Sequence, residues 1–192
     1  VKESGHNFLE SYAVIAEGID FLDWNLRIAE REYLGRLAKL SETSGNFNRR
    51  VLVPHGVFFT LDPYNFSGAI DVDQIAKPLL MGNTVIASPS DKTSLVGRLV
   101  YQVFEDAFKE TGVENNGVLN WIPGDGKVLS NYILSHPCVN GLCFTGEGGF
   151  YIGGTPPKTR IFVSRAHKRK RGLGICARPF GIRHGGGNDI LR

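Results

Sequence analysis

Cysteine is scarce here, long apolar runs are missing, and acidic side chains all but vanish towards the end of the chain. The three cysteines (Cys138, Cys143, Cys176) are odd in number and have no C-x-x-C or zinc-finger spacing. That excludes a disulfide framework and a thiolate zinc site. Reduced thiols inside a cell are expected, in cytoplasm or mitochondrial matrix. No stretch approaches the ~18 apolar residues of a membrane span, and Val1-Lys2-Glu3-Ser4-Gly5-His6 has no secretory character. A sequence opening on valine is expected to be a piece of a longer one. After Phe150 there is one acid, Asp189, against ten lysines and arginines, whereas residues 1–150 carry 18 acids and 12 bases. The net charge of +3 therefore hides a step near Phe150.

What is present suffices for one core: 192 residues, 42% hydrophobic and 21% charged. The charge step divides a fold-bearing segment, 1–150, from a basic, glycine-rich tail, 151–192, expected to be disordered or read out of frame. Phe8, Tyr12, Ile15, Ile19, Leu22, Leu26, Ala29, Tyr33 and Leu37 recur at helical spacing, which predicts one or two helices over 7–40 with Phe21 and Trp24 in a core. Gly18 weakens that helix by about 1 kcal/mol relative to alanine. Residues 41–50 read as a polar loop and Arg50–Val53 as a strand start. His55 reads as a turn residue and Ala69–Met81 as a helix that Pro78 breaks or kinks. Thr84–Ala87, Val118–Ile122 and Val139–Phe144 read as buried strands. The stripe from Leu95 to Phe108, closed by Gly112, predicts a helix, and Lys127–Ser135 another.

The sequence is organised around Val57–Phe66, V-F-F-T-L-D-P-Y-N-F. Five β-prone residues without alternation suit a strand buried on both faces, and Asp62-Pro63 stops it. Taken alone, Pro63-Tyr64-Asn65 is more often only a turn. Gly124-Asp125-Gly126 follows a strand and opens a helix, the setting in which bare N–H groups attract phosphate, although the Rossmann G-x-G-x-x-G is not there.

In order and spacing, P-Y-N-F, N-T-V-x-x-x-P-S, P-G-D-G and F-T-G resemble the cofactor-binding domain of the aldehyde dehydrogenase superfamily over about residues 8–147. The branch most resembled is pyrroline-5-carboxylate dehydrogenase, through Ile19-Asp20-Phe21 in the first helix. The resemblance implies an α/β fold, a Rossmann-like parallel sheet flanked by helices, incomplete in this chain. It implies that Asn65 donates its amide to the oxyanion formed when a thiolate attacks an aldehyde, an interaction whose loss costs ~10²–10³ in rate. It places NAD against Leu61, Tyr64, Ser88, Ser90, Asp91, Gly124, Gly126, Phe144, Thr145, Gly146 and Glu147, with no metal. The implied reaction oxidises glutamate semialdehyde to glutamate in proline catabolism, in a homo-oligomer whose exchange strands this chain lacks.

The departures are specific. Ser88 stands where the family has a ribose-binding lysine, Ser130 where the loop's last glycine falls, and Glu147 where Phe-Thr-Gly-Ser ends in serine. Aligning Gly185-Gly186 with the family's glycine pair puts Arg183 at the general base, and arginine accepts no proton at neutral pH. No cysteine matches the nucleophile. A second reading is therefore a catalytically inactive nucleotide-binding or interaction module. A third takes Arg165–Arg171 as a nucleic-acid arm; no interleaved aromatics support it.

Overall fold

The computed structural model describes residues 1–34, 41–43, 46–48, 52–146, 160–163 and 178–179. Its centre is a five-stranded sheet built from β4 (Val57–Leu61), β5 (Thr84–Ser88), β6 (Leu119–Trp121), β7 (Val139–Phe144) and β8 (Arg160–Val163). The order is β6-β5-β4-β7-β8, and every neighbouring pair is parallel. β4 sits in the middle, as its unbroken apolar run requires: Phe58 and Phe59 are fully buried. Successive side chains of a strand point to opposite faces, so these two phenylalanines anchor two layers. Phe59 packs with Ile133, Leu134 and Leu142, and Phe58 with Cys143. Gly141 on β7 makes room for Phe58, since a Cβ there would overlap the ring. A further cluster joins Val85, Ala87 and Leu119 to Ile75 and Val100.

The parallel strands need crossovers, and α2 (Ala69–Leu80), α3 (Ser94–Glu110) and α4 (Gly126–Ser135) supply them. α3 ends before Gly112, whose φ of +70° is the left-handed cap predicted from sequence. α2 runs through Pro78 to Leu80 rather than breaking there. The Pro78 carbonyl takes bonds from the Asn83 backbone and side chain, 3.0 and 3.1 Å. The start of β4 is pinned from both sides. Asn83 Oδ1 accepts from His55 N (2.6 Å) and Gly56 N (3.1 Å), and Asn140 Oδ1 accepts from Val57 N (3.0 Å).

α1 (Phe8–Ile28) starts at a reciprocal cap in which Asn7 Oδ1 accepts from Glu10 N and Glu10 Oε2 accepts from Asn7 N, both 2.9 Å. It continues as a π-helical turn over Ala29–Leu34. Gly18 has a packing reason: a Cβ there would sit 3.4 Å from Ala69 Cα, so α1 and α2 nearly touch backbones. The apolar stripe is real but faces the other way. Phe8, Tyr12, Ile15 and Ile19 are 63–82% exposed and Trp24 is 54% exposed, not in a core. Val14, Gly18 and Asn25 are the buried side.

Residues 41–50 are not simply a loop. β1 (Ser41–Thr43) and β2 (Asn46–Asn48) pair antiparallel. β3 (Leu52–Val53) pairs antiparallel with β9 (Arg178–Pro179). Two stretches of the basic tail are thus strands, β8 and β9.

Candidate functional site

The chain moves from β4 outward through β5 to β6, then returns to lay β7 on the other side of β4. Open parallel sheets bind ligands where the strand order reverses, at the carboxyl ends of the strands. Here that is the end of β4 and β7, and the register brings three sequence-selected residues into one row: Leu61 is level with Ser88 on β5 and with Phe144 on β7. Two backbone bonds close the row, Thr145 N to Leu61 O at 3.2 Å and Asp62 N to Ser88 O at 3.4 Å.

Beyond β4, Pro63 leads into a 3₁₀ turn, Tyr64–Phe66, that carries Asn65. Asn65 is exposed, and its backbone carbonyl lies 3.2 Å from His6 Nε2. Tyr64 is half exposed, with Lys92 Nζ 4.5 Å from its ring centroid. Ser67 ties this turn to its neighbour: its hydroxyl donates to Thr93 Oγ1, and its Oγ lies 3.4 Å from the Pro63 carbonyl. Gly68, at φ +99°, then swings the chain into α2, a conformation side chains rarely adopt.

Beyond β5, Ser90 caps a 3₁₀ turn through Lys92 N at 3.3 Å, and Asp91 is exposed. α3 itself is capped from far away in sequence, by Glu3, whose carboxylate oxygens each accept at 2.9 Å from Leu95 N and Val96 N. Beyond β6, a Cβ on Gly124 would press on Leu129 at 3.1 Å. Asp125 caps α4, its Oδ1 accepting from Lys127 N (2.8 Å) and Val128 N (3.0 Å). Ser130 turns its hydroxyl back to the Gly126 carbonyl and is buried. It fills the glycine position without entering the loop. Beyond β7, Thr145 is buried and Gly146 exposed; a Cβ on Gly146 would meet the Phe144 ring at 2.8 Å. Glu147 lies outside the described residues, as do Arg165–Arg171, Cys176 and Arg183–Gly187.

These features fit a dinucleotide in outline. Gly124, Gly126 and Gly146 leave bare backbone at two strand ends, those of β6 and β7, where a phosphate can approach. The fit is weaker at two points. Ser88 is 1% exposed and its hydroxyl has no hydrogen-bond partner among the described residues, so it is available but sealed. Two α4 N–H groups are already held by the Asp125 carboxylate. The described cysteines lie elsewhere: Cys138 is exposed at the start of β7, and Cys143 is buried beside Phe58. Among the described residues there is no metal-binding group, and no helix is long and apolar enough to cross a membrane.

The sequence profile of the aldehyde dehydrogenase family matches residues 1–151. The chain belongs to that family. It is 36% identical over 147 residues to 1-pyrroline-5-carboxylate dehydrogenase 1 of Halalkalibacterium halodurans, covering 77% of this chain and 27% of that protein. To 1-pyrroline-5-carboxylate dehydrogenase 2 of Bacillus subtilis it is 32% identical over the same length and coverage. A crystal structure of 1-pyrroline-5-carboxylate dehydrogenase from Thermus with bound NAD superposes with a TM-score of 0.72 at 31% identity, over 85% of this chain and 33% of that one. This family member thus spans about a quarter of the length of the curated relatives it matches.

The site also contains residues that motif reading passed over. Thr60, Asp62, Asp71, Asp73 and Gln74 are all buried, as is Thr145 of the F-T-G motif. Gln74 Nε2 donates to Thr145 Oγ1 at 2.7 Å, and Asn25 Nδ2 to Asp73 Oδ1 at 2.8 Å. Lys77 pairs with Asp73. Burial pushes the Asp62 carboxyl well above its usual range, with the Asp71 charge and hydrogen bond adding to it. Burial likewise raises Asp71, to about 6, against the lowering effect of bonds from Gly68 and Asp62. A sequence signal existed: Asp71, Asp73 and Gln74 occupy buried positions of α2, where apolar residues are the rule.

Proposed function

We propose that residues 1–146 form the NAD-binding part of a 1-pyrroline-5-carboxylate dehydrogenase, an enzyme that oxidises glutamate semialdehyde to glutamate. The observation that carries this is the row Leu61–Ser88–Phe144 at the strand-order reversal, with the Asn65 turn following the central β4 and bare glycines following β6 and β7. Gly124 and Gly126 at the head of α4 would receive the pyrophosphate, with Phe144, Thr145 and Gly146 beside it. Ser90 and Asp91 would face the ribose, and Leu61 and Tyr64 would flank the crevice. When bound, NAD supplies the hydride acceptor. Asn65, exposed at the rim, would hold an amide N–H towards a substrate oxygen that becomes negative, which it can do without titrating. Thiolate and general base would come from sequence not represented among the described residues.

Titration of the 192-residue chain with NAD tests the reading by calorimetry. A saturable one-to-one isotherm is expected. Ser88→Lys restores a charged ribose contact worth about 1.5–3 kcal/mol and should tighten binding by roughly tenfold or more. A flat isotherm to millimolar NAD in both proteins refutes it. Cys138 at the amino end of β7 and Cys143 buried against Phe58 favour a second reading for the isolated chain, a nucleotide-binding module without turnover. That reading predicts the same isotherm and no NADH on adding aldehyde.

A further inference from the structure

Asp62 and Asp71 bracket the segment that carries Asn65, one immediately before Pro63, the other in the first turn of α2. Each has one oxygen committed. Thr60 Oγ1 donates to Asp62 Oδ2 at 3.4 Å, and Gly68 N donates to Asp71 Oδ2 at 3.1 Å. The other oxygen of each, Asp62 Oδ1 and Asp71 Oδ1, is buried with no hydrogen-bond donor among the described residues, though the two carboxyl groups are in contact. Ionised carboxylates only accept, so two facing oxygens cannot bond to each other. One proton between them satisfies both. Asp71 is the partner that keeps the charge, because an N–H and the α2 N-terminus both favour its ionised form.

We propose that Asp62 and Asp71 are positioning residues for Asn65: Asp62 in its acid form donates to Asp71 and thereby closes the loop that presents the carboxamide. Losing the shared proton leaves two buried like charges, and the turn opens. The surrounding charges do not replace that proton. Asp73, on α2, adds negative potential but is committed to Lys77 and Asn25. Lys92, from the turn after β5, lies over Tyr64, and His6 meets the Asn65 carbonyl. α1 offers Asn25 and β7 offers Thr145, both neutral.

The sign follows from linkage. The closed turn holds a proton that the open turn, with ordinary carboxyls near about 4, does not. Opening therefore releases one proton and becomes up to tenfold more favourable per pH unit above about 4, until the raised values of the closed pair are passed. Amide exchange of the ¹⁵N-labelled full chain reads this at Gly68 N–H, which Asp71 holds. After correction for intrinsic exchange, protection in the wild type should fall severalfold to tenfold per unit between pH 5 and 6. Asp62→Asn supplies a permanent donor, and should keep protection high and flat over that range. Asp71→Asn, donating in the reverse sense, should also be flat. A flat wild-type profile overturns the proposal, and so does an Asp62→Asn profile that slopes like wild type. If neither variant folds, the wild-type slope decides. The consequence for chemistry rests on the role proposed for Asn65. The exchange experiment does not involve NAD, so the two readings fail separately.

Discussion

Gly97→Ala sets two known effects of opposite sign against each other. In the interior of a helix, alanine is better than glycine by roughly 0.5–1 kcal/mol, and Gly97 lies one turn inside α3. A Cβ there, however, would come within 2.5 Å of Pro89 Cγ. Pro89 is buried, its ring cannot swing aside, and it joins β5 to the turn holding Ser90 and Asp91. Overpacking of this kind costs about 1–3 kcal/mol, so the clash should win and leave the variant less stable by about 1–2 kcal/mol. For a chain of this size that lowers Tm by roughly 3–6 °C. Urea unfolding followed by circular dichroism measures it, with an unchanged m-value showing that only stability moved. Pro89→Gly removes the ring together with the Cβ, which lies nearer still to the added methyl, so the double variant should recover the loss with a coupling of about 1 kcal/mol or more. A Gly97→Ala chain more stable than wild type, or a cycle with no coupling, would refute the reasoning. NAD binding should weaken as well, since Pro89 lies between Ser88 at the end of β5 and Ser90 at the cap of the following turn.

Two further variants probe the two edges of the sheet. Asn83→Ala strips a bonding partner from His55 N and Gly56 N, both half-buried, while the Pro78 carbonyl keeps its bond from the backbone N of residue 83. It should cost about 2 kcal/mol, at roughly 1 kcal/mol for each N–H left unmet, read as a lower urea midpoint. Asp125→Asn keeps an equally good helix cap and should leave stability within a few tenths of a kcal/mol, while removing a negative charge where the pyrophosphate would lie. NAD affinity should then rise roughly fivefold, for a charge term of about 1 kcal/mol; an unchanged affinity would place the phosphates away from α4.

How much was legible in the sequence depended on whether a local pattern had one physical meaning. β4 and β5 were readable because short continuous β-prone runs suit strands buried between two layers. Gly112 was readable because the chemistry of helix ends is local. α1 shows the limit. Periodicity reveals that a helix has an apolar side, but not which side meets α2, and a small residue, Gly18, decided that instead. The 41–48 hairpin was hidden because short polar strands look like loops. The acids of α2 were hidden for a different reason. A charge pattern gives no sign that Asp62 and Asp71, nine residues apart, will fold back onto one another. The positions of Asn65, Ser88 and Phe144 could be ordered by motif, but only the register shows Leu61, Ser88 and Phe144 in one row.

The two asparagines that grip the start of β4 have a consequence for how such a chain can change over time. A slip of one residue would exchange the environments of Phe58 and Phe59, so register is where this fold is most exposed to error. Asn83 and Asn140 settle it from the amino end of the sheet, far from the ligand crevice. The carboxyl end is thereby relieved of structural duty. The residues at 88 and 130 can therefore vary without disturbing the strand alignment, because the positions that set the register are not those at the strand-order reversal.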